Sequence, residues 1–223
     1  TVGMSTIAGS VMVIYTTMLS PIYGSGLIGH FLTASLISVP AGIMFANILI
    51  PSETKTDFPE DNSTKMYSST MDALTKGTQS GIDIFLNVAA MLIVIMALVF
   101  LANQILGIFP DILGEPLTME RVVGWVFAPL AWCMGIPWSE SQVAGELLGV
   151  KTILNEFVAY LYLSDTSSYP LSEKSFLIML YALCGFANFS SVGILLSGIS
   201  AMVPERRKDI IAVSFKALWA ALL

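Results

Sequence analysis

The 223 residues are 55% hydrophobic and only 12% charged, with a mean hydropathy of +0.78; ordinary soluble domains, in which about a quarter of residues are charged, are excluded. Several apolar windows reach the ~20 residues that a helix needs to cross a hydrocarbon core. The composition therefore specifies an all-α polytopic membrane protein rather than a strand barrel, which would alternate polar and apolar residues. The net charge of −6 sits in loops; it sets no orientation and carries no sign of nucleic-acid binding.

Residues 1–50 hold two membrane spans. The first, 4–21, is rich in Gly, Ser and Thr over its first third, which suits either tight packing or local unwinding beside a cavity. Gly24-Ser25-Gly26-Leu27-Ile28-Gly29 matches a dinucleotide-binding pattern, but no strand precedes it and the match is discarded. The second span, 26–50, carries the only histidine, His30, read as an interfacial or packing residue. Pro40-Ala41-Gly42 lies in its middle, where a kink is expected.

Residues 51–80 form a polar cytoplasmic loop, with Pro51, Pro59, three lysines and five acids before residue 77. Its sequon Asn62-Ser63-Thr64 matters only on a lumenal side. A further span occupies 81–109, with Asn87 and Asn103 near its ends. Residues 110–140 form a loop and an interfacial helix, since Trp125, Trp132, Trp138, Pro129 and Pro137 crowd a short apolar stretch.

Residues 141–163 are the unusual segment, because Asn155 and Glu156 interrupt an apolar run. A carboxylate at bilayer depth costs on the order of 3 kcal/mol on insertion scales, so it should face a polar cavity and act there. A long span follows within 164–203, and 204–223 are a basic loop and a truncated last span. The chain starts at Thr1 with no charged leader and stops at Leu223 in mid-run, so it is expected to be a fragment. Cys133 and Cys184 lie in apolar segments without metal-ligand spacing and are expected to be small core side chains.

Basic residues favour the cytoplasmic side, which puts Arg206, Arg207 and Lys208 there. If 141–163 is a re-entrant hairpin, Lys55, Lys65 and Lys76 share that side, giving six basic residues inside against Arg121 and Lys174 outside. If it crosses while 122–138 stays interfacial, the count is four against four; if both cross, it is again six against two. The hairpin arrangement is adopted.

Asn188 and Ser191 are three apart, which places them on one helical face, with Phe186 nearby as an aromatic surface. A carboxylate accepts from two hydroxyls, Asn donates and accepts, and Ser does either, an inventory that can hold a cis-diol such as a ribose. The same residues also admit a purely structural pairing of Glu156 with Tyr160, one turn on, and of Asn188 and Ser191 with neighbouring helices.

The sequence resembles the concentrative nucleoside transporter family. The likeness is carried by Gly3-Met-Ser-Thr-Ile-Ala-Gly-Ser-Val11, Pro137-Trp-Ser-Glu140, Gly149-Val-Lys-Thr-Ile-Leu-Asn-Glu-Phe-Val-Ala-Tyr160, and Gly185-Phe-Ala-Asn-Phe-Ser-Ser191 through Met202-Val-Pro-Glu-Arg-Arg207. It is a likeness to the C-terminal transport half. It implies an inverted-repeat transporter fold in which a re-entrant helical hairpin and broken transmembrane helices enclose the substrate at mid-membrane. It implies that Glu156, Asn188 and Ser191 hold the ribose with Phe186 close by, that Val11 lies on the base side, and that backbone carbonyls of an unwound Thr6-Ile7 bind the coupling cation, sodium or a proton taking that role. No cofactor is implied. A homotrimer in a plasma or bacterial inner membrane is. The family's first hairpin, with its base-reading residues and the rest of the cation site, is missing from the sequence, so base preference and coupling ion stay open and the segment alone is expected not to transport.

Two other classes fit less well. A membrane enzyme with Glu156 as a base beside Lys151 or His30 lacks any HExxH, nucleophile elbow or Cys and His pair. A non-transporting scaffold or gate of related fold is the remaining alternative.

Overall fold

A computed structural model describes residues 1–51, 67–112, 114 and 116–222. The sequon at Asn62 and the lysines Lys55 and Lys65 lie outside the described residues. Among those described the architecture is helical, as the composition required: α1 Val2–Ser5, α2 Gly9–Tyr23, α3 Leu27–Leu49, α4 Thr70–Leu106, α5 Met119–Cys133, α6 Trp138–Ile153, α7 Glu156–Leu163, α8 Glu173–Leu183, α9 Phe189–Met202 and α10 Arg207–Leu222.

Local chemistry sets where these helices begin. Ser69 accepts a hydrogen bond from the Asp72 amide and starts α4, so this helix opens well before the apolar run at residue 84. Thr118 accepts from the Arg121 amide and starts α5. Such side-chain caps satisfy amides that a helix leaves unpaired in its first turn. The segments Val2–Tyr23 and Leu27–Leu49 are long and apolar enough to cross a membrane. Along α4, Phe85, Ile93, Leu98 and Phe100 are exposed, a surface suited to lipid or to protein rather than to water.

The helix α3 runs without interruption through Pro40, the position at which the sequence suggests a kink. Its neighbour there is α1: Ser5 Oγ donates to the Ser38 carbonyl at 3.2 Å, and a Cβ on Gly42 would lie 2.9 Å from Ser5 Oγ. The small residues after Pro40 thus mark a helix crossing.

The tightest packing joins α5 and α6 as an antiparallel pair across the turn Met134–Pro137, in which Gly135 adopts φ +99°, a conformation that favours glycine. The pair is held close by Gly145: a Cβ there would fall 2.4 Å from the Gly124 carbonyl oxygen and 2.8 Å from the Ala128 nitrogen. Trp125, Trp132 and Trp138, assigned from sequence to an interface, keep 38%, 57% and 64% of their surface exposed. Of the cysteines, only Cys184 is buried; Cys133, expected in the core, is exposed at the last residue of α5.

The main core gathers Tyr15, Leu19 and Phe31 of the first helices with Leu147, Tyr160, Met179 and Leu183. Tyr15 packs on Tyr160 with ring centroids 4.4 Å apart, and Phe31 meets Tyr160 edge-on at 5.6 Å. This aromatic cluster fixes α2 and α3 against α7, beside the one carboxylate that is buried among the described residues.

Candidate functional site

Three interruptions of helix meet in space. The chain is extended at Thr6 (φ −112°, ψ 162°) and Ala8 (φ −74°, ψ 139°), between α1 and α2. It turns again at Leu154 and Asn155, between α6 and α7, and a third time over Cys184–Asn188, between α8 and α9. The first and third touch: a Cβ on Gly185 would lie 3.2 Å from the Ser5 carbonyl oxygen and 3.3 Å from that of Met4. A side chain there would press on both carbonyls, so glycine suits this close approach.

Between them is a cavity of about 330 Å³ bordered by Gly3, Thr6, Ile7, Ala8, Val11, Glu156, Cys184 and Phe186. Its volume is at the lower end of small-molecule pockets, which run from roughly 300 Å³. Five residues singled out from sequence therefore share one cavity: Thr6, Ile7, Val11, Glu156 and Phe186. A second cavity of about 200 Å³ lies behind, bordered by Ser5, Ser38, Gly42, Lys151, Thr152 and Tyr181 among others.

Glu156 is 6% exposed and is the first residue of α7, where the partial positive charge of a helix N-terminus favours a carboxylate. Its Oε2 accepts from Asn188 Nδ2 at 3.0 Å, and its Oε1 accepts from Tyr15 Oη at 3.4 Å. A carboxylate offers about four acceptor sites. The side chains of Asn188 and Tyr15 take two of them, and the carboxylate also borders the cavity. The alternative pairing with Tyr160 does not form, since Tyr160 Oη donates to the Leu180 carbonyl at 2.7 Å.

Asn188 and Ser191 are brought to Glu156, but not by a shared helical face. Asn188 is extended (φ −147°, ψ 170°) and caps α9: its Oδ1 accepts from the Ser191 amide at 2.7 Å and from Ser190 Oγ at 2.6 Å, while Ser191 Oγ accepts from the Asn188 amide at 3.1 Å. This reciprocal cap explains the spacing of three. Both residues are fully buried and neither borders the cavity; Asn188 reaches it through Glu156.

Asn155 plays the matching part for α7, its Oδ1 accepting from the Val158 amide at 3.0 Å. Its Nδ2 is buried with no partner among the described residues. At Thr6 and Ile7, among the described residues, neither backbone carbonyl accepts a hydrogen bond. Tyr15, 141 positions from its partner Glu156, and Cys184, taken for plain core, were missed from sequence; no local pattern connects them to the site. His30 Nδ1 lies 3.1 Å from Tyr181 Oη, on the surface.

A family model described as the Na+ dependent nucleoside transporter C-terminus matches residues 30–223. The chain is 39% identical over 231 residues to the uncharacterized transporter YutK of Bacillus subtilis, covering 100% of this chain and 55% of that protein. To the nucleoside permease NupC of Helicobacter pylori it is 36% identical over 227 residues, covering 100% and 53%. To human solute carrier family 28 member 3 it is 35% identical over 239 residues, covering 99% and 34%. The solved structure of CNTnw in an inward-facing substrate-bound state superposes with a TM-score of 0.80 at 36% identity, covering 99% of this chain and 52% of that one. The chain thus spans about half the length of its bacterial relatives. By this match over its length and by its all-helical fold, the chain belongs to the Na+-dependent, concentrative nucleoside transporter family, whose members are transporters and not enzymes.

Proposed function

We propose that the chain is the C-terminal part of a cation-coupled symporter that imports nucleosides across a plasma or bacterial inner membrane, with Glu156 as the group that holds the ribose. The observation that carries this reading is a buried carboxylate held by the side chains of Asn188 and Tyr15 that also borders a cavity. Vicinal hydroxyls are the donors that such an acceptor pair takes. Phe186 and Val11 border the same cavity and supply apolar surface for sugar and base. Asn188 and Ser191 contribute by building and aiming the acceptor.

In this reading the co-transported cation, sodium or a proton, is a second substrate. The free carbonyls of Thr6 and Ile7 suit a hard cation such as sodium, which takes oxygen ligands, and they form only part of its cage. The membrane arrangement we favour has a re-entrant hairpin over 141–163 whose tip is the Leu154-Asn155 interruption, a span broken at Cys184–Asn188, and cytoplasmic segments at 51–80 and around Arg206. The assembly in this reading is a homotrimer.

The test is calorimetric titration of the full-length transporter with uridine and with uracil, for wild type and Glu156→Gln. An amide replaces one acceptor oxygen by a donor, and a charge-assisted hydrogen bond is worth about 1.5 to 3 kcal/mol. Nucleoside binding should weaken by that amount while binding of the free base changes little. Equal loss for both ligands would remove Glu156 from the sugar.

A further inference from the structure

Lys151 is the one buried cation among the described residues, 3% exposed, and it does not touch the cavity that contains Glu156. It lies in the last turn of α6, and its Nζ donates at 2.8 Å to the carbonyl of Ala182, in the last turn of α8. The ammonium therefore sits where two half-helices end, among backbone carbonyls that the helices leave unpaired and where the helix dipoles are negative. Glu156 and Asn188 sit at the opposite kind of place, at the starts of α7 and α9. At the second and third interruptions one ammonium, that of Lys151, thus marks the ends of both incoming half-helices, and a carboxylate or an amide acceptor marks the start of each outgoing one. Lys151 and Glu156 flank the Leu154-Asn155 interruption and both are buried, so their charges are weakly screened from one another.

We infer that Lys151 is a positioning residue for the sugar site: it ties the end of α8 to the end of α6 from behind and supplies the fixed positive charge that offsets the Glu156 carboxylate while leaving that carboxylate's cavity side to the substrate. A lysine bonded directly to Glu156 would consume acceptor sites. One held on the Ala182 carbonyl neutralises the region without competing for the ligand. This inference rests on the proposed role of Glu156 in binding ribose.

The experiment uses the full-length transporter purified in detergent, with Lys151→Met, Lys151→Arg, Glu156→Gln and the double variant Lys151→Met/Glu156→Gln. Binding of uridine and of 2′,3′-dideoxyuridine is titrated, and melting temperatures are recorded. Loss of the offsetting charge should weaken uridine by about tenfold, the scale of one charge-assisted hydrogen bond, and dideoxyuridine by far less, with Lys151→Arg restoring most of the difference. The double variant should melt above Lys151→Met, because removing both charges leaves none buried alone. This comparison stands even if Lys151→Met no longer binds. Equal weakening of both ligands, or a double variant that melts at or below Lys151→Met, overturns the role of Lys151. If Glu156→Gln itself keeps full preference for uridine over dideoxyuridine, it is the sugar-binding reading that falls.

Discussion

Asn188 Nδ2 lies 3.0 Å from Glu156 Oε2, so the residue that caps α9 is hydrogen-bonded to the first residue of α7. One side chain thereby serves two ends at once: its oxygen holds the start of a helix, and its nitrogen aims a carboxylate on another.

The two roles can be separated. In Asn188→Ser a hydroxyl can still cap α9 but is too short to reach Glu156, so thermal stability should stay within about 1 kcal/mol while uridine affinity falls. In Asn188→Ala the cap is lost as well, at a cost of roughly 0.5 to 2 kcal/mol. A melting curve and a uridine titration for each variant check this. Wild-type uridine affinity in Asn188→Ser would show that capping alone accounts for Asn188.

Gly145→Ala should be far more damaging than its size suggests. The added Cβ would meet backbone atoms, the Gly124 carbonyl oxygen at 2.4 Å and the Ala128 nitrogen at 2.8 Å, which cannot rotate away. The α5 and α6 pair must separate, at about 1 to 3 kcal/mol by analogy with overpacked cores. Gly193→Ala, where a Cβ meets nothing within 4 Å, is the control. Equal melting temperatures for the two variants would contradict the close approach.

Hydrogen bonds from Ser167 and Ser168 hold the Asp165 carboxyl down to about 2, from an ordinary 3.8. A depressed folded-state value means that the turn's added stability is complete above about pH 4 and is lost as the pH falls through about 2. Amide protection at Ser167 and Ser168 should therefore decline over that window in wild type. In Asp165→Ala it should be weak throughout. A turn equally protected at pH 5 and pH 2 would contradict this.

Cysteines introduced at Lys65 and at Arg207 should react with an impermeant reagent from the same, cytoplasmic side, and one at Ser167 from the other. This follows from the balance of basic residues that favoured a hairpin over 141–163. Reaction of residues 65 and 207 from opposite sides would require a different path for both 122–138 and 141–163.

The helical class and the position of Glu156 were legible because each is a local property: apolar length, and a charge where no charge belongs. The partners of Glu156 were legible only in part. Asn188 stood out beside Phe186 and Ser191, yet the spacing of three that drew attention to it reflects a cap on extended backbone and not a helical face. Tyr15 was hidden for a different reason, and Lys151 stood out only as a neighbour of Glu156 in the enzyme alternative, not as a tie between helix ends. A tyrosine in an apolar helix and a lysine near a helix end are unremarkable until tertiary contacts of 141 and 31 positions' separation bring them to the same interruptions. The glycines of α5 and α6 were equally silent, since a close approach is a property of two backbones and is written in neither alone.

An interruption in a helix is commonly pictured as a place where the chain can flex. Here the third interruption is fastened from both sides: Asn188 Oδ1 holds Ser190 and Ser191, Ser191 Oγ holds the Asn188 amide, Asn188 Nδ2 holds Glu156, and Gly185 is wedged against Met4 and Ser5. Bending the chain there would sever several of these buried bonds at once. That joint is locked. Its contacts join the end of α1, the start of α7 and the start of α9 into one connected unit.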